Sequence, residues 1–195
     1  MGIHPLRPAV FLDRDGVLNR AVVRAGKPYP PASVEEMEMV PDAAVHLARL
    51  RQAGFALLVV TNQPDVARGT QSRAEVERIH DALAAAMPLD DFLVCYHDDA
   101  ERCACRKPKP GLLLDGAARH GLDLAASYMV GDRWRDIDAG HSAGCRTVFL
   151  DFAYEERGPS HRPSMTVSSL ADAIAWILAD SSRGAGITDS QLGEA

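Results

Sequence analysis

The sequence has few of the residues that nucleic-acid and membrane surfaces need. Aromatic residues make up 6% of the 195 positions, and 21 basic residues face 27 acidic ones, giving a formal net charge of −6. A broad nucleic-acid surface takes its affinity from many Lys and Arg, so this balance argues against one. No run approaches the roughly 18 apolar residues that span a bilayer, and no apolar leader segment is visible. We expect a cytoplasmic protein that binds neither nucleic acid nor membrane.

Internal repeats are also absent, and the bulk composition is that of an ordinary globular chain. With 47% hydrophobic and 25% charged residues, a chain of this length can bury a sufficient core. Only the C-terminal segment from about Ser181 lacks a core pattern. We therefore expect a monomer with one domain over 1–180 and a disordered tail over 181–195.

Short apolar runs alternate with segments of helical periodicity along the chain. Such alternation is typical of βαβ units, a parallel sheet and right-handed crossovers. It predicts an α/β fold, a Rossmann-like three-layer sandwich around a central parallel sheet. The predicted strands are 9–12, 55–60, 92–96, 127–130 and 146–150, and the predicted helices are about 41–54, 72–87, 110–121, 136–143 and 169–178.

Polar residues stand at the ends of three predicted strands, where ligands bind in such sheets. Asp13, Thr61 and Asp132 occupy these positions. In the Asp13-x-Asp15-Gly turn, Asp13 can attack phosphorus as a carboxylate nucleophile, and Asp15 can protonate the leaving oxygen and later deprotonate water. A turn that merely favours Asp and Gly is the structural alternative, and this motif alone does not exclude it.

An anionic substrate facing these carboxylates needs positive charge nearby. Asp132 can complete a Mg²⁺ site with Asp13 and a backbone carbonyl, with Asp136 behind it, although Asp132 could also cap the following helix. Lys107 offers a compact charge for a transferring phosphoryl group, and Thr61 can donate a hydrogen bond to it. Taken alone, the basic run around Lys107 would be read as an exposed loop.

Four motifs in order resemble the haloacid dehalogenase superfamily of phosphohydrolases. They are FLDRDG (11–16), VVTNQ (59–63), CRKPKPG (105–111) and VGDRWRDI (130–137). Each motif is weak by itself, whereas the ordered set is specific. Within the superfamily, the chain is most similar to the capless histidinol-phosphate and heptose-bisphosphate phosphatases. The resemblance implies Mg²⁺-dependent hydrolysis of a phosphorylated sugar through an aspartyl-phosphate intermediate.

The same resemblance implies roles for individual residues. Asp13 is the expected nucleophile, Asp15 the general acid/base, and Thr61 and Lys107 the groups that stabilise the phosphoryl group. Asp13, the Asp15 carbonyl and Asp132 are the expected Mg²⁺ ligands. Residues beside the motifs are expected to contact substrate: Arg14, Asn19, Arg20, Ala21, Val22, Arg24, Asn62, Gln63, Pro64, Arg106 and Arg133.

Three cysteines and one histidine form a short cluster, Cys95-x-His97 and Cys103-x-Cys105. Cys₃His is a tetrahedral zinc set, and four protein ligands indicate a structural site. The spacings are tighter than the common C-x-x-C knuckle, and a redox pair or chance are the alternatives. The resembling phosphatases carry such a zinc loop directly before their Arg-Lys-Pro segment. A closed loop would hold that segment rigidly over the phosphate.

The substrate is the least determined part of this interpretation. The segment between Gly16 and Pro41 is too short for a cap domain, so an open site is expected. The spacer inside the cysteine loop resembles the histidinol-phosphate type, whereas 67–69 and 109–111 resemble the heptose type more closely. We expect D-glycero-D-manno-heptose 1,7-bisphosphate, cleaved at C7, although Pro64-Asp65 departs from the usual Ser-Gly of that type. The alternatives are a histidinol-phosphate phosphatase, a polynucleotide 3′-phosphatase and a non-catalytic binding module.

Overall fold

A computed structural model of the protein describes residues 6–185. Its centre is a parallel sheet of six strands in the order β5-β4-β1-β6-β7-β8, and a separate antiparallel hairpin, β2-β3, follows the first strand. The strands are β1 (Ala9–Leu12), β2 (Val22–Arg24), β3 (Lys27–Tyr29), β4 (Ala56–Asn62), β5 (Asp91–Cys95), β6 (Tyr128–Gly131), β7 (Arg146–Leu150) and β8 (Met165–Val167).

Five helices cover the two faces of the sheet. Apolar residues of α1, α2 and α5 form one core cluster with the sheet, and those of α3 and α4 form the other. The helices are α1 (Ala43–Gln52), α2 (Arg73–Ala86), α3 (Gly111–His120), α4 (Trp134–Ala143) and α5 (Leu170–Ala185). This confirms the predicted three-layer α/β fold.

The central strand β1 fixes the position of the site. All four of its residues are buried, as expected for a strand covered on both faces. β1 pairs with β4 on one side and β6 on the other. The chain passes from β1 to β4 and β5 on one side and then crosses to β6, β7 and β8 on the other. The carboxyl ends of β1, β4 and β6 therefore meet at the switch point of the sheet, where α/β proteins bind ligands.

Three elements were not predicted from the sequence: the β2-β3 hairpin, strand β8, and a single 3₁₀ turn at Asp99–Glu101. The hairpin is all the regular structure between β1 and α1, so no cap domain is present there. Helix α5 continues to Ala185, so the domain boundary predicted at residue 180 falls inside a helix. The rest of the predicted tail, 186–195, lies outside the described residues. No helix within residues 6–185 has the length and apolar character needed to cross a bilayer.

Candidate active site

Four polar residues meet at the carboxyl end of the sheet. Asp13 follows β1, and its backbone N–H donates to Val130 O of β6 at 2.9 Å. Lys107 comes from the loop before α3, and the Asn62 amide holds that loop through two bonds, accepting from Lys107 N (3.1 Å) and donating to Lys107 O (3.0 Å). Asp132 and Asp136 place carboxylate oxygens within 4.8 Å of one on Asp13. The structure therefore brings together the predicted Asp13, Lys107 and Asp132.

The Lys107 ammonium lies among carboxylates in a buried setting. Its Nζ is 2.9 Å from Asp13 Oδ1 and 2.6 Å from Asp136 Oδ1, and it donates to Val60 O at 2.7 Å. Its side chain is only 2% exposed. Burial opposes the charge, but the two carboxylates outweigh it and raise the pKa of Lys107. Lys107 is therefore a fixed positive charge.

The surrounding carboxyl groups lack enough positive charge. Burial raises the pKa of Asp13 to about 7, with Asp136 adding to the effect and Lys107 opposing it. Burial, and then the charge on Asp13, raise the pKa of Asp132 well above its ordinary value. Asp13, Asp132 and Asp136 thus surround a single ammonium, and without a further cation the protein favours the protonated forms of Asp13 and Asp132.

Asp132 has the geometry of a cation ligand. Both of its carboxylate oxygens are buried, and neither has a hydrogen-bond partner within 3.5 Å among residues 6–185, although the Tyr154 hydroxyl lies close enough to oppose the rise in the Asp132 pKa. Gly16 allows this arrangement, because its φ is +87° and a Cβ there would lie 1.8 Å from Asp132 Oδ2. Unsatisfied buried oxygens facing further carboxylates fit a hard divalent cation such as Mg²⁺.

The Asp15 carboxylate is held by four side-chain donors. Arg14 donates from Nε (3.1 Å) and Nη2 (2.9 Å), Asn19 from Nδ2 (3.0 Å) and Gln63 from Nε2 (2.8 Å). Arg14, Asn19 and Gln63 are fully buried. These three residues, predicted to contact substrate, lie beneath Asp15 and hold its side chain. Gln63 also donates to Thr61 Oγ1 at 2.9 Å.

A cavity of about 260 Å³ opens above Asp13 and Asp15. Six of the predicted substrate or phosphate residues line it: Thr61, Asn62, Pro64, Arg106, Lys107 and Arg133.

Four other predicted residues, Arg20, Ala21, Val22 and Arg24, do not line this cavity. Arg20 pairs with Glu38 at 2.8 Å and Arg24 with Glu36 at 3.7 Å. The turn of the β2-β3 hairpin reverses the chain and presents 27–30 to the cavity instead. No pattern in the sequence predicts this difference, because strands of three residues have no distinctive periodicity.

Most basic residues around the cavity are paired with acidic ones. Arg106 Nε lies 2.8 Å from Asp99 Oδ1, and Arg133 Nε donates to Glu156 at 3.0 Å. Arg68 forms a two-pronged pair with Asp98, at 2.9 and 2.7 Å. Arg135 lies 3.6 Å from Asp99. Lys27 also lines the cavity and has no acidic partner among the residues that the structure describes.

The predicted cysteine cluster is assembled from the last residue of β5 and the loop that follows it. Its Sγ–Sγ distances are 3.3–3.7 Å, and His97 Nδ1 lies 3.3 Å from Cys105 Sγ and 3.6 Å from Cys95 Sγ. A tetrahedral zinc site with Zn–S bonds near 2.3 Å has edges of about 3.8 Å. The cysteines form no disulfide. Cys95, His97, Cys103 and Cys105 can therefore hold a metal ion, directly before Arg106 and Lys107.

Sequence comparisons agree with this geometry. The HAD-hydrolase-like family model matches residues 104–173. The chain is 38% identical over 141 residues to the D-glycero-beta-D-manno-heptose-1,7-bisphosphate 7-phosphatase of Bordetella bronchiseptica, covering 70% of this chain and 76% of the relative. It is 40% identical over 139 residues to the D-glycero-alpha-D-manno-heptose-1,7-bisphosphate 7-phosphatase of Mycobacterium tuberculosis, covering 68% and 71%.

Solved structures show the same relationship. The D,D-heptose 1,7-bisphosphate phosphatase of B. bronchiseptica, complexed with magnesium and phosphate, superimposes with a TM-score of 0.75 at 32% identity, over 89% of this chain and 99% of that one. The corresponding phosphatase of Burkholderia thailandensis gives a TM-score of 0.61 at 25% identity, over 88% and 99%.

Proposed function

This chain belongs to the heptose-bisphosphate phosphatase family of haloacid-dehalogenase-like hydrolases, and from that premise we propose that it removes the C7 phosphate of D-glycero-D-manno-heptose 1,7-bisphosphate. The observation that carries the proposal is the meeting of Asp13, Lys107 and Asp132 in one buried cluster beneath an open cavity. A carboxylate nucleophile, a fixed cation and a further carboxylate for a metal are the parts that phosphoryl transfer to an aspartate needs.

Hydrogen bonds hold one carboxylate oxygen of Asp13 and leave the other available for attack. Its Oδ1 accepts from Lys107 Nζ (2.9 Å) and from the backbone N–H of Arg14 (2.7 Å). No hydrogen bond within residues 6–185 uses Oδ2, which makes Oδ2 the attacking atom. The new bond forms between Oδ2 and phosphorus as the ester oxygen leaves, while Lys107 and Thr61 stabilise the charge on the phosphoryl oxygens.

Asp15 is assigned the proton transfers. It gives a proton to the departing sugar oxygen and then takes one from the water that hydrolyses the aspartyl phosphate. Its position supports this role, because it lines the cavity beside Asp13 while Arg14, Asn19 and Gln63 fix its orientation from below.

Asp13, Asp132 and the Asp15 backbone carbonyl are proposed to hold Mg²⁺. When bound, Mg²⁺ neutralises the phosphate and the carboxylates that face it. Support comes from the unpartnered oxygens of Asp132 and from the magnesium in the related B. bronchiseptica structure. Asp136 has another task, since its carboxylate binds Lys107 Nζ and accepts from the backbone N–H of Arg133 at 3.0 Å.

The Cys₃His cluster is proposed to bind structural Zn²⁺. Four protein ligands at tetrahedral separations leave no open position for chemistry. The Lys109 ammonium reinforces the loop by donating to the carbonyls of Arg102 (3.0 Å) and Cys103 (2.5 Å). The loop would thereby set the positions of Arg106 and Lys107 at the cavity. Three cysteines without a disulfide suit a reducing compartment, which supports a cytoplasmic location.

Lys27 favours a bisphosphate over histidinol phosphate. The paired arginines of the cavity have their charge offset by neighbouring carboxylates, whereas Lys27 has no such partner in the described part of the chain. A second phosphate on the substrate would supply the negative charge that Lys27 lacks. The overall charge of −6 speaks against a polynucleotide substrate, and we retain a monomer as the expected state.

Phosphate release tests the proposal directly. The wild-type protein and the Asp13→Asn variant are assayed with heptose 1,7-bisphosphate, histidinol phosphate and a 3′-phosphorylated oligonucleotide, each with and without Mg²⁺. We expect Mg²⁺-dependent release from the heptose ester by the wild type alone. Preference for histidinol phosphate or the oligonucleotide would overturn the substrate, and no release from any ester would favour the non-catalytic module.

A further inference from the structure

A buried chain of hydrogen bonds leads away from the active site behind Asp15. Arg14 binds the Asp15 carboxylate with Nε and Nη2, and its remaining terminal nitrogen, Nη1, lies 3.2 Å from His80 Nε2. Arg14 is 0% exposed and His80 is 7% exposed. Within residues 6–185, His80 is the side chain that bonds Nη1, so the guanidinium is held between two anchors.

The chemistry of this contact fixes the state of His80. A guanidinium can only donate, so His80 Nε2 must accept, and the imidazole must be neutral with its proton on Nδ1. Burial, and then the neighbouring Arg14 charge, lower the pKa of His80 to about 4. The imidazole therefore stays an acceptor for Arg14 at neutral pH.

The imidazole is itself held in place from two sides. His80 lies on α2, on the buried side of that helix. Its ring stacks on Phe92 of β5 with centroids 4.8 Å apart and planes inclined by 25°. The acceptor is thus presented to Arg14 by a helix and a strand, which restricts where the guanidinium can sit.

We propose that His80 is a positioning residue for proton transfer, acting on Asp15 through Arg14. The guanidinium fork is planar and rigid, so anchoring Nη1 also fixes the plane in which Nε and Nη2 meet the Asp15 oxygens. Without the acceptor, a buried N–H of Arg14 has no partner and the fork shifts to find one. Asp15 would then be oriented mainly by Asn19 and Gln63 and would point less accurately at the leaving oxygen. The inference rests on the proposed role of Asp15 as general acid.

The test compares two esters that differ in their need for an acid. The sugar alkoxide of heptose 1,7-bisphosphate is a poor leaving group that needs protonation, whereas p-nitrophenolate leaves without it. Values of kcat/KM are compared because they report steps up to formation of the aspartyl phosphate. We expect His80→Leu to lower kcat/KM for the sugar ester about tenfold, a part of the 10²–10⁴ that general acids contribute. We expect p-nitrophenyl phosphate to change by less than about twofold.

Two further variants distinguish positioning from simple loss of structure. In His80→Gln the amide oxygen can accept from Arg14, so we expect kcat/KM for the sugar ester to return to within about threefold of wild type. His120→Leu is the matched control, since it removes a histidine contact to β5 (His120 Nε2 to Asp91 Oδ2, 2.8 Å) without touching Arg14. We expect that control to leave the ratio of the two esters unchanged.

Several outcomes would overturn the inference. One is an equal loss of kcat/KM on both esters in His80→Leu. Another is a His80→Leu variant whose ratio of kcat/KM for the sugar ester to kcat/KM for p-nitrophenyl phosphate equals that of the wild type. The third is a His80→Gln variant that is as impaired on the sugar ester as His80→Leu. If His80→Leu does not fold, as shown by its circular dichroism, the His80→Gln ratio decides alone: a selective loss on the sugar ester larger than about threefold contradicts the proposal. Failure of the proposed function would look different, because the wild type would then not hydrolyse the sugar ester.

Discussion

Replacing Asp13 by Asn should stabilise the Mg²⁺-free protein at alkaline pH. Folding raises the pKa of Asp13 from 3.8 to about 7, so the folded state holds this proton more tightly than the unfolded state. The stability contributed by the group is therefore complete below pH 3.8 and is lost as the pH rises through 7. The full loss is about 4 kcal/mol, and more than half of it falls between pH 5 and pH 8.

Asparagine imitates the protonated carboxyl group and cannot ionise. Its Oδ1 can still accept from Lys107 and from the backbone N–H of Arg14, so the contacts survive. Asp13→Asn should thus become more stable than wild type by a margin that grows by roughly 3 kcal/mol from pH 5 to pH 8. His80 acts in the opposite direction, since its lowered pKa costs stability as the pH falls from 6.5 through 4. It is present in both proteins and cancels in the difference.

Urea unfolding of both proteins at pH 5 and pH 8 measures this margin. The buffers contain no Mg²⁺ and no chelator, so that the zinc proposed for the cysteine loop is not removed. Adding Mg²⁺ at pH 8 should stabilise wild type more than Asp13→Asn, because the variant has lost a ligand carboxylate. A margin that is the same at both pH values, or a wild type that is the more stable protein at pH 8 without Mg²⁺, would refute the reasoning.

Three further substitutions test other parts of the account. Gly16→Ala places a Cβ 1.8 Å from Asp132 Oδ2 at a φ of +87°, so it should lower kcat by about 100-fold or more. It should also raise the Mg²⁺ concentration that gives half-maximal activity, as measured by a Mg²⁺ titration. Lys27→Gln should raise KM for the bisphosphate about fivefold and leave KM for p-nitrophenyl phosphate unchanged in steady-state assays. Cys105→Ser should lose bound zinc, measured by elemental analysis, and lower Tm by about 10 °C.

Each substitution has a matched control elsewhere in the chain. Gly54→Ala shares a positive φ of +92° but meets open space, Arg20→Gln removes a cation that pairs with Glu38 away from the cavity, and Cys145→Ser alters a buried cysteine outside the cluster. The Mg²⁺ requirement, KM and zinc content should stay at wild-type values in these controls. A control that reproduces the effect of its partner would contradict the corresponding role.

The sequence predicted the sheet and the meeting of its strand ends for a physical reason. β1 and β4 are continuous apolar runs, which parallel strands buried on both faces require, and each ends abruptly at a polar residue. Strand-end residues converge in any such sheet, so the grouping of Asp13, Thr61 and Asp132 follows from topology alone. The hairpin β2-β3 has only three residues on each strand and no such run, so it could not be predicted.

Side-chain direction is what the motifs could not supply. Arg14, Asn19 and Gln63 are close in sequence to catalytic positions, yet the backbone turns their side chains beneath Asp15 rather than into the cavity. His80 lies on α2 with no motif around it, and only the packing of α2 against β5 brings it to Arg14. Such contacts depend on tertiary structure and leave no local pattern in the sequence.

The central claim is that Asp13 accepts the phosphoryl group. Rapid acid quenching of the protein mixed with Mg²⁺ and heptose 1,7-bisphosphate labelled with ³²P at C7, followed by peptide mapping, measures this directly. The account predicts label that appears within one turnover on the peptide containing Asp13 and is absent from the Asp13→Asn variant. Phosphate release at the wild-type rate with no protein-bound label, or label on a peptide without Asp13, would contradict it.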